Sequence, residues 1–584
     1  MGKKNKTSAV FTENEILIFE NNFDEILEKT GCFNARSIAI FVTMYIVIMF
    51  GAMHIGGVVF LAAKMDHQCI VDSGTMDLVS EKCHINWTET ETMKSSPVVK
   101  NKTSKCTRFT NEYLLNMSCS SWSSSSPLPP SGHIEPCEAW SYDQSVFQST
   151  IISDFNLVCS NTWKTNVSQM LLMFGVLIGA LVVGICSDRF GRRPLFIICL
   201  LALLVSAILS SIVKDYWLFS VVRMVVGLAS IGLCVSGYVY AMEIMVEKYR
   251  VLFGQAIHAT FSFGFMFFAL FGYLERRWVF LNYIIAVPLA LLLVIYLCVS
   301  AESPRWLVSK KRSHEGLNVF RQLTKKDDHI LKNVLKVLEK NTTPILKKSS
   351  PSVPYNDSGE VIVEGNESGN TVTIFRNPVL RKISFIFFYN WFAVTCIYYG
   401  LTLNTSSLAG DPFLNFFLSG LVEIPANFGA VLLIKLWGRR PTVCLGNTVC
   451  GVALVAMVLV PEGYQAVDTT LYLIGKFCAT AIFSTIYLYT VELYPTPLRG
   501  NGVGICSGFA RIGGLTSLLI LMLGQINTTL PYLTFGTIAL VAGFLIVLLP
   551  ETKGTKLPET VKDSEDLYTR RNRTVIQQCL CKNS

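Results

Sequence analysis

The sequence predicts an all-α membrane protein with twelve transmembrane helices in two pseudo-symmetric six-helix bundles and a disulfide-stapled loop after the first helix. Of the 584 residues, 51% are hydrophobic and only 16% are charged, and the mean hydropathy is +0.44. Soluble domains carry about a quarter charged residues. Twelve apolar segments follow one another, each close to the roughly 20 residues that cross a bilayer. The second six repeat polar positions of the first six.

These segments divide the chain into five parts. The predicted spans are 37–63, 168–186, 195–213, 217–242, 252–273 and 278–300, then 380–403, 412–434, 442–460, 468–491, 502–524 and 530–550. The parts are an N-terminal segment at 1–36, a first bundle at 37–300 with a loop at 64–167, a connecting loop at 301–379, a second bundle at 380–550 and a tail at 551–584.

Polar residues at the ends of the spans recur 249 residues later. The matched positions are Tyr238 and Tyr487, Glu243 and Glu492, Arg250 and Arg499, and Glu302 and Glu551. The triplet Gly191-Arg192-Arg193 also recurs, as Gly438-Arg439-Arg440, at a shift of 247. Same-direction repeats of about six spans are typical of secondary transporters, which build two halves around a central site. The repeat therefore predicts a carrier.

Basic residues cluster in alternate short loops, which predicts the orientation of the chain. The clusters are Arg189, Arg192 and Arg193; Lys248 and Arg250; Lys310, Lys311 and Arg312; Lys435, Arg439 and Arg440; and Arg499. Loops rich in lysine and arginine stay on the cytoplasmic side. We therefore expect a multi-pass plasma-membrane protein with both termini in the cytoplasm. The net charge of +9 follows these loops, so no nucleic-acid partner is expected.

The loop at 64–167 carries six cysteines and three glycosylation sequons. The cysteines are Cys69, Cys83, Cys106, Cys119, Cys137 and Cys159, and the sequons begin at Asn86, Asn101 and Asn116. An even number of cysteines with sequons in an extracellular loop predicts a disulfide-stapled, glycosylated cap. The alternative is a loop of free thiols. Six cysteines allow 15 pairings, and the sequence does not choose among them.

The loop after the second span combines glycines, an acid and arginines in the string GICSDRFGRR. The glycines permit a tight turn, and the charges can bridge neighbouring helix ends. We expect a latch that holds one conformational state and opens in the other, with Glu243 as the partner of Arg189 or Arg193. A simple topological anchor is the alternative. In the second copy Lys435 replaces Asp188, which predicts unequal latches.

Further strings at the ends of the spans narrow the class of protein. They are Asp66-His67-Gln68-Cys69, Glu302-Ser303-Pro304-Arg305-Trp306-Leu307, Glu492-Leu493-Tyr494-Pro495-Thr496 and Pro550-Glu551-Thr552. Together with the GICSDRFGRR loop, they resemble the major facilitator superfamily and, within it, the solute carriers of organic cations, organic anions and zwitterions such as carnitine. The resemblance runs from about Phe23 to Gly554. It implies gating roles for Asp188, Arg189, Gly191, Arg192, Arg193, Glu243, Arg250, Glu302, Arg305, Gly438, Arg439, Arg440, Glu492, Arg499 and Glu551.

Arg511 and Glu423 are charged residues inside predicted spans, where an arginine costs about 2.5–3.5 kcal/mol. Arg511 lies in the eleventh span, and Glu423 lies midway along the eighth beside Pro425. In the family that the chain resembles, the Arg511 position is an aspartate in cation carriers and an arginine in anion and carnitine-type carriers. Arg511 is therefore expected to bind a substrate carboxylate. Glu423 would bind an ammonium group, take up a proton or neutralise Arg511; a purely structural role is the alternative for both.

Aromatic side chains would complete such a site by apolar and cation–π contacts. The resemblance implies that the cavity is lined by Trp391, Tyr398, Phe261 and Tyr238, although ordinary helix packing explains any one of them equally well. His54 would titrate, donate to an anion or make an interhelical hydrogen bond. Cys234 stands where several cation carriers have a tryptophan. Lys476 is expected to extend outward to the membrane surface and receives no role.

The expected function is secondary transport of a small organic ion by alternating access. A carnitine-like zwitterion is the first expectation, an organic anion the second and an organic cation the third. A membrane enzyme and a non-transporting receptor are the other classes considered. The sequence has no glycine-rich phosphate loop, so a gradient would supply the energy, with sodium and protons both open as the coupling ion. Seven scattered histidines and disulfide-type cysteine spacing predict no metal, no cofactor and no enzyme.

Overall fold

Twelve apolar helices build the described part of the chain, which confirms the predicted architecture. The computed structural model describes residues 22–30, 34–70, 102–116, 134–324, 371–555 except 406, 407, 409 and 462, and 560–569, with isolated positions elsewhere. Within this part, eleven helices are long and apolar enough to cross a membrane, and the twelfth is a shorter apolar helix. They are α1 Ala35–Gly56, continued by Val58–Leu61, α2 Thr162–Phe190, α3 Arg192–Ile212, α4 Tyr216–Ile244, α5 Glu247–Leu274, α6 Trp278–Val299, α7 Pro378–Asn404, α8 Pro412–Trp437, α9 Arg439–Met457, α10 Gln465–Leu493, α11 Thr496–Met522 and α12 Leu530–Ile546.

Capping residues and glycines determine where several of these helices begin and end. The side chains of Asn377 and Asp411 accept hydrogen bonds from the first free backbone amides of α7 and α8. Gly191 between α2 and α3 has φ +105°, and Gly438 between α8 and α9 has φ +101°. Glycine adopts such angles without the steric cost that other residues incur. The same tight turn therefore recurs in both halves, as the sequence repeat predicts.

Helices approach closely inside each bundle and expose apolar side chains on the outside. A Cβ atom on Gly175 of α2 would stand 1.9 Å from the carbonyl oxygen of Met224 in α4, and one on Gly227 would likewise meet the backbone of α2. Small residues permit such close backbone contact between membrane helices. On the outer surface, Ile185 and Leu274 are 73% and 71% exposed. Such residues form the apolar surface that a bilayer covers.

The two bundles meet at the face that carries the segment between α1 and α2, here called the cap side. The ring centroid of Phe60 lies 5.0 Å from that of Phe413 and 5.2 Å from that of Phe416. Phe265 of α5 lies 5.4 Å from Phe416, and Phe147 from the segment before α2 lies 5.3 Å from Phe413. Because Phe413 and Phe416 belong to the second bundle and their partners to the first, this phenylalanine cluster closes the cap side.

Residues 62–161 form the cap, and its described part is stapled as predicted. Disulfides join Cys69 to Cys137 and Cys106 to Cys159. Antiparallel strand pairs are His67–Cys69 with Trp140–Tyr142, Val98–Val99 with Lys102–Thr103, and Thr107–Phe109 with Ile134–Pro136. Asn116 is exposed at the end of the helix Asn111–Asn116. The other predicted positions, Cys83, Cys119, Asn86 and Asn101, lie outside the described residues.

Short helices cover the opposite face, here called the latch side, and each bundle has its own. Phe23–Thr30, Pro304–Ser309 and Ser313–Thr324 pack on the first bundle. The second carries Thr371–Arg376 and a helix at 561–569, where Nδ2 of Asn377 donates to Oε1 of Glu565 at 2.5 Å.

Candidate functional site

A charge network at the latch side of the first bundle centres on Arg192. Its Nη2 atom lies 2.6 Å from Oε1 of Glu243 and 2.9 Å from Oδ1 of Asp188. The expectation that Glu243 pairs with Arg189 or Arg193 is therefore wrong. The left-handed turn at Gly191 starts α3 so that the next side chain points inward between helix ends, and Arg192 is only 7% exposed. Arg189 stays at the surface.

Glu302 completes this network from the end of α6. Its Oε1 atom accepts the backbone amides of Arg192 at 3.0 Å and Arg193 at 3.2 Å. These are the first free amides of α3, where the helix dipole favours a carboxylate. The Arg193 side chain turns away to donate to Oγ of Ser300 at 3.0 Å. One carboxylate thus ties the end of the sixth helix to the start of the third.

The second bundle repeats the network with one acid fewer. Nη2 of Arg439 lies 2.6 Å from Oε1 of Glu492. Glu551 accepts the amides of Arg439 and Arg440, each at 2.9 Å. Lys435 occupies the place of Asp188, so within the described residues Arg439 has one carboxylate partner where Arg192 has two. The two charge networks are therefore unequal, in line with the replacement of Asp188 by Lys435.

Other predicted gating residues lie at the same face. The guanidinium of Arg305 lies 5.1 Å from the ring centroid of Phe23 in the N-terminal helix. Arg250 and Arg499 occupy the first turns of α5 and α11. The ion pairs of the two networks each join residues of one bundle, whereas the phenylalanine cluster of the cap side joins both. The structure is therefore closed at the cap side.

Between the bundles, Glu423 of α8 forms an ion pair with Lys476 of α10 at 2.9 Å, and their side chains are 2% and 0% exposed. Ser262 of α5 donates to Oε2 of Glu423 at 2.8 Å, which links the two bundles. The ammonium also lies 3.6 Å from the ring centroid of Tyr398 and contacts the hydroxyl of Thr402. The expectation that Lys476 extends to the surface is wrong, because a carboxylate, a hydroxyl and an aromatic face together offset its desolvation.

Arg511 of α11 lies apart from that ion pair. Its guanidinium interacts electrostatically with Tyr399 and Tyr487 of its own bundle and with Cys234 of α4 in the other bundle. Within the described residues it has no carboxylate within 4 Å, and its buried Nε atom lacks a hydrogen-bond partner. The alternative in which Glu423 neutralises Arg511 is therefore not the arrangement in this state.

The predicted aromatic residues occupy different depths around these charges. Trp391 is fully buried; its Nε1 atom donates to Thr490 at 3.0 Å, and its ring lies 4.2 Å from that of Tyr487. Trp391 therefore packs against the Tyr487 ring. Tyr238 is 41% exposed, whereas Phe261 is partly buried on α5.

Two buried basic side chains and one partly buried histidine lie inside other spans. His54 is 1% exposed, and neither of its ring nitrogens has a hydrogen-bond partner within the described residues. Arg223 of α4, which sequence reasoning missed, is 2% exposed and approaches the carbonyl oxygen of His54 at 3.5 Å. His258, also missed, lies 6.1 Å from the ring of Phe483 across the interface. A lone charged or imidazole side chain inside an apolar span was the signal that would have found both.

One group of potential metal ligands lies in the cap. His67 lies near the sulfur atoms of Cys106 and Cys159, with 3.8 Å between its Nε2 and Sγ of Cys159. The two sulfur atoms are joined to each other, so neither is a thiolate that would bind a metal. This group is part of the disulfide staple.

Two repeated six-helix bundles, matching charge networks at one face and buried charges between the bundles are the features of a secondary transporter with the major facilitator fold. A family model described as "Sugar (and other) transporter" matches residues 110–563. The xylose transporter XylE from E. coli in an inward open conformation is 15% identical, with a TM-score of 0.55 over 88% of this chain and 98% of that chain. That likeness shows the fold alone.

Curated relatives match almost the whole chain. The "Organic cation transporter protein" of Drosophila melanogaster is 31% identical over 554 residues, which cover 93% of this chain and 94% of the relative. "Solute carrier family 22 member 1" of Oryctolagus cuniculus is 32% identical over 93% of this chain and 95% of the relative. The chain belongs to the sugar (and other) transporter family of the major facilitator superfamily and, within it, to solute carrier family 22. It is a multi-pass membrane transporter of organic ions and not an enzyme.

Proposed function

We propose that the protein transports a small carboxylated organic ion, with a carnitine-like zwitterion as the first candidate and an organic anion as the second. The observation that supports this most directly is the pairing of the central charges. Glu423 and Lys476 neutralise each other at 2.9 Å, whereas Arg511 has no acidic partner within the described residues. An uncompensated guanidinium favours a ligand that brings a carboxylate and repels one that is only cationic.

The surroundings of Arg511 suit such a ligand. A guanidinium can hold a carboxylate through two parallel hydrogen bonds. Tyr399 and Tyr487 interact electrostatically with it, and tyrosine rings of this kind can hold the ammonium group of a zwitterion. The face of Tyr398 is already covered by the Lys476 ammonium. An ammonium that bound Glu423 instead would first have to displace Lys476.

Transport would proceed by rocking of the bundles about this centre. In the present state the phenylalanine cluster closes the cap side, so the centre is reached from the latch side. Breaking that cluster and joining the bundles at the latch side would expose the centre to the other face. We place the latch side and both termini in the cytoplasm and the cap outside the plasma membrane, since the basic loops lie at the latch side.

An organic cation is the alternative substrate, and the names of the relatives favour it. The Drosophila relative is called an organic cation transporter, although it shares only 31% of aligned residues. A carboxylated substrate and a cationic substrate differ in their interaction with Arg511, because a cation would have to bind beside an unpaired guanidinium. The charge of this residue is therefore the test.

The experiment is uptake into proteoliposomes of three labelled solutes of similar size: a zwitterion, an anion and a cation. Sodium and proton gradients are imposed in separate arms. Arg511→Asp should lower uptake of both carboxylated solutes at least about tenfold, which corresponds to the loss of about 1.4 kcal/mol of binding. Arg511→Lys keeps the charge but loses the planar fork, so an intermediate loss is expected.

Each outcome bears on one part of the proposal. Carboxylated solutes that still enter through Arg511→Asp would contradict the substrate assignment. Wild-type uptake of the cation alone would favour the alternative substrate. A purified protein that moves none of a broad panel of solutes would favour a non-transporting receptor.

A further inference from the structure

A pocket opens on the latch side, at the edge of the first bundle and away from the central charges. Its volume is about 530 Å³. It lies between the start of α3, the end of α6 and the helices Pro304–Ser309 and Ser313–Thr324. Its lining combines arginines with apolar side chains and includes Arg36, Arg193, Arg312, Phe190, Ile197 and Leu297.

Two of these arginines are held by neutral groups only. Nε of Arg36 donates to the carbonyl oxygen of Val299 at 3.1 Å, and Nη1 donates to Oε1 of Gln322 at 2.9 Å. Nε of Arg193 donates to Oγ of Ser300 at 3.0 Å. Within the described residues, neither guanidinium has a carboxylate within 4 Å. No ion pair therefore compensates either positive charge, and each guanidinium has N–H donors left to bind a ligand.

The acids of the pocket are already engaged. Glu302 accepts the first backbone amides of α3 at 3.0 and 3.2 Å, and Glu315 pairs with Arg312 at 2.6 Å. Lys310 and Lys311, just before that pair, are exposed. The pocket thus presents a surplus of positive charge that the transport centre does not use.

The apolar part of the lining indicates where the ligand comes from. Phe190 is 58% exposed and Leu297 is 44% exposed at the latch-side ends of α2 and α6, where the membrane surface meets water. A soluble anion would not bury this apolar surface, whereas the glycerol and first acyl carbons of a lipid would cover it. Guanidiniums match the geometry of phosphate oxygens, and basic pockets between helices on the cytoplasmic side can bind anionic headgroups.

We propose that this pocket binds the multiply phosphorylated headgroup of an inositol lipid in the cytoplasmic leaflet. Arg36 and Arg193 contact the phosphates, and the exposed side chains of Phe190 and Leu297 contact the lipid body. The proposal rests on the orientation proposed above but not on the transported substrate. All lining residues belong to the first bundle and its latch-side helices, so the lipid stays bound when the bundles rock.

The test is binding of short-chain phosphatidylinositol 4,5-bisphosphate to the purified full-length protein in detergent, measured by native mass spectrometry. Saturable binding is expected at one site. Because one basic residue near a membrane surface contributes about a five- to tenfold change in affinity for an anionic lipid, Arg36→Gln and Arg193→Gln should each weaken binding by that factor. Arg36→Lys keeps the charge but loses the planar fork, so its loss of affinity should be smaller than that of Arg36→Gln.

The matched control is Arg381→Gln, which removes an exposed arginine near the start of α7 in the other bundle. It should bind the lipid as the wild type does. Equal weakening in Arg36→Gln and Arg381→Gln would overturn the proposal, since the attraction would then be general surface charge. Equal affinity for free inositol 1,4,5-trisphosphate would overturn the lipid source, and equal affinity for short-chain phosphatidylserine would overturn the phosphorylated headgroup. If Arg36→Gln does not fold, lipid binding by Arg193→Gln is compared with that by Arg381→Gln instead.

Discussion

The substitution Lys476→Met would leave the carboxylate of Glu423 buried without its counter-ion. The two side chains are 0% and 2% exposed, and 2.9 Å separates Nζ from Oε1. Removing one partner of a buried ion pair costs about 3–5 kcal/mol, because the remaining charge is desolvated and unpaired. A unit of about 150–250 residues loses about 2–4 °C in Tm per kcal/mol. The second bundle, which contains both residues, should therefore melt on the order of 10 °C lower.

The measurement is thermal unfolding of the purified protein in detergent, followed by tryptophan fluorescence. The double substitution Lys476→Met with Glu423→Gln removes both charges and should regain at least about half of the lost stability. Lys435→Met is the matched control, since Lys435 is exposed at the end of α8 and should change stability by less than about 0.5 kcal/mol. A melting temperature of Lys476→Met equal to that of Lys435→Met would refute the cost of the unpaired carboxylate. So would a double variant whose loss of stability equals the sum of the losses in Lys476→Met and Glu423→Gln measured singly.

Three further experiments test other contacts. Ser262→Ala removes the 2.8 Å hydrogen bond that joins α5 to Glu423 across the bundles; a bond to a charged group contributes about 1.5–3 kcal/mol. The population of the state closed at the cap side should fall, and spin labels on the cap-side ends of α1 and α7 would report longer distances; unchanged distances would contradict this role. Arg192→Gln loses two carboxylate partners and Arg439→Gln loses one, so the first should lower the initial rate of uptake more, and equal losses would contradict unequal latches. Replacing Cys69 and Cys137 by serine removes a disulfide between residues 68 positions apart, which should cost about 2–5 kcal/mol of stability. Trypsin should then cleave the cap faster. An unchanged cleavage rate would show that the disulfide does not stabilise the cap.

The membrane architecture could be predicted because it depends on properties that are local along the chain. A span needs a certain length of apolar sequence, and each of the twelve predicted segments overlaps one of the helices. The tight turns could be predicted as well, since Gly191 and Gly438 adopt positive φ angles that favour glycine. The repeat of acids and arginines indicated a network in each half, and Glu302 and Glu551 occupy equivalent places in the structure.

Which charged side chains pair with each other could not be predicted from the sequence. Arg192 rather than Arg189 or Arg193 pairs with Glu243, and Lys476 rather than Arg511 neutralises Glu423. Spacing along one helix tells which residues share a face, but not how far neighbouring helices are rotated or shifted along their axes. A rotation of one residue turns a helical side chain by about 100°, which exchanges one candidate partner for another.

The sequence by itself thus determined the spans, the twofold repeat, the stapled cap and the family of the chain. Only the tertiary structure decided that the acid of the eighth helix is already neutralised and that, among the described residues, the arginine of the eleventh has no carboxylate within 4 Å. The physical reason is that apolar length and repeat are properties of one chain segment at a time. An ion pair instead requires two segments to meet within 4 Å in an interior where an unpaired charge is costly.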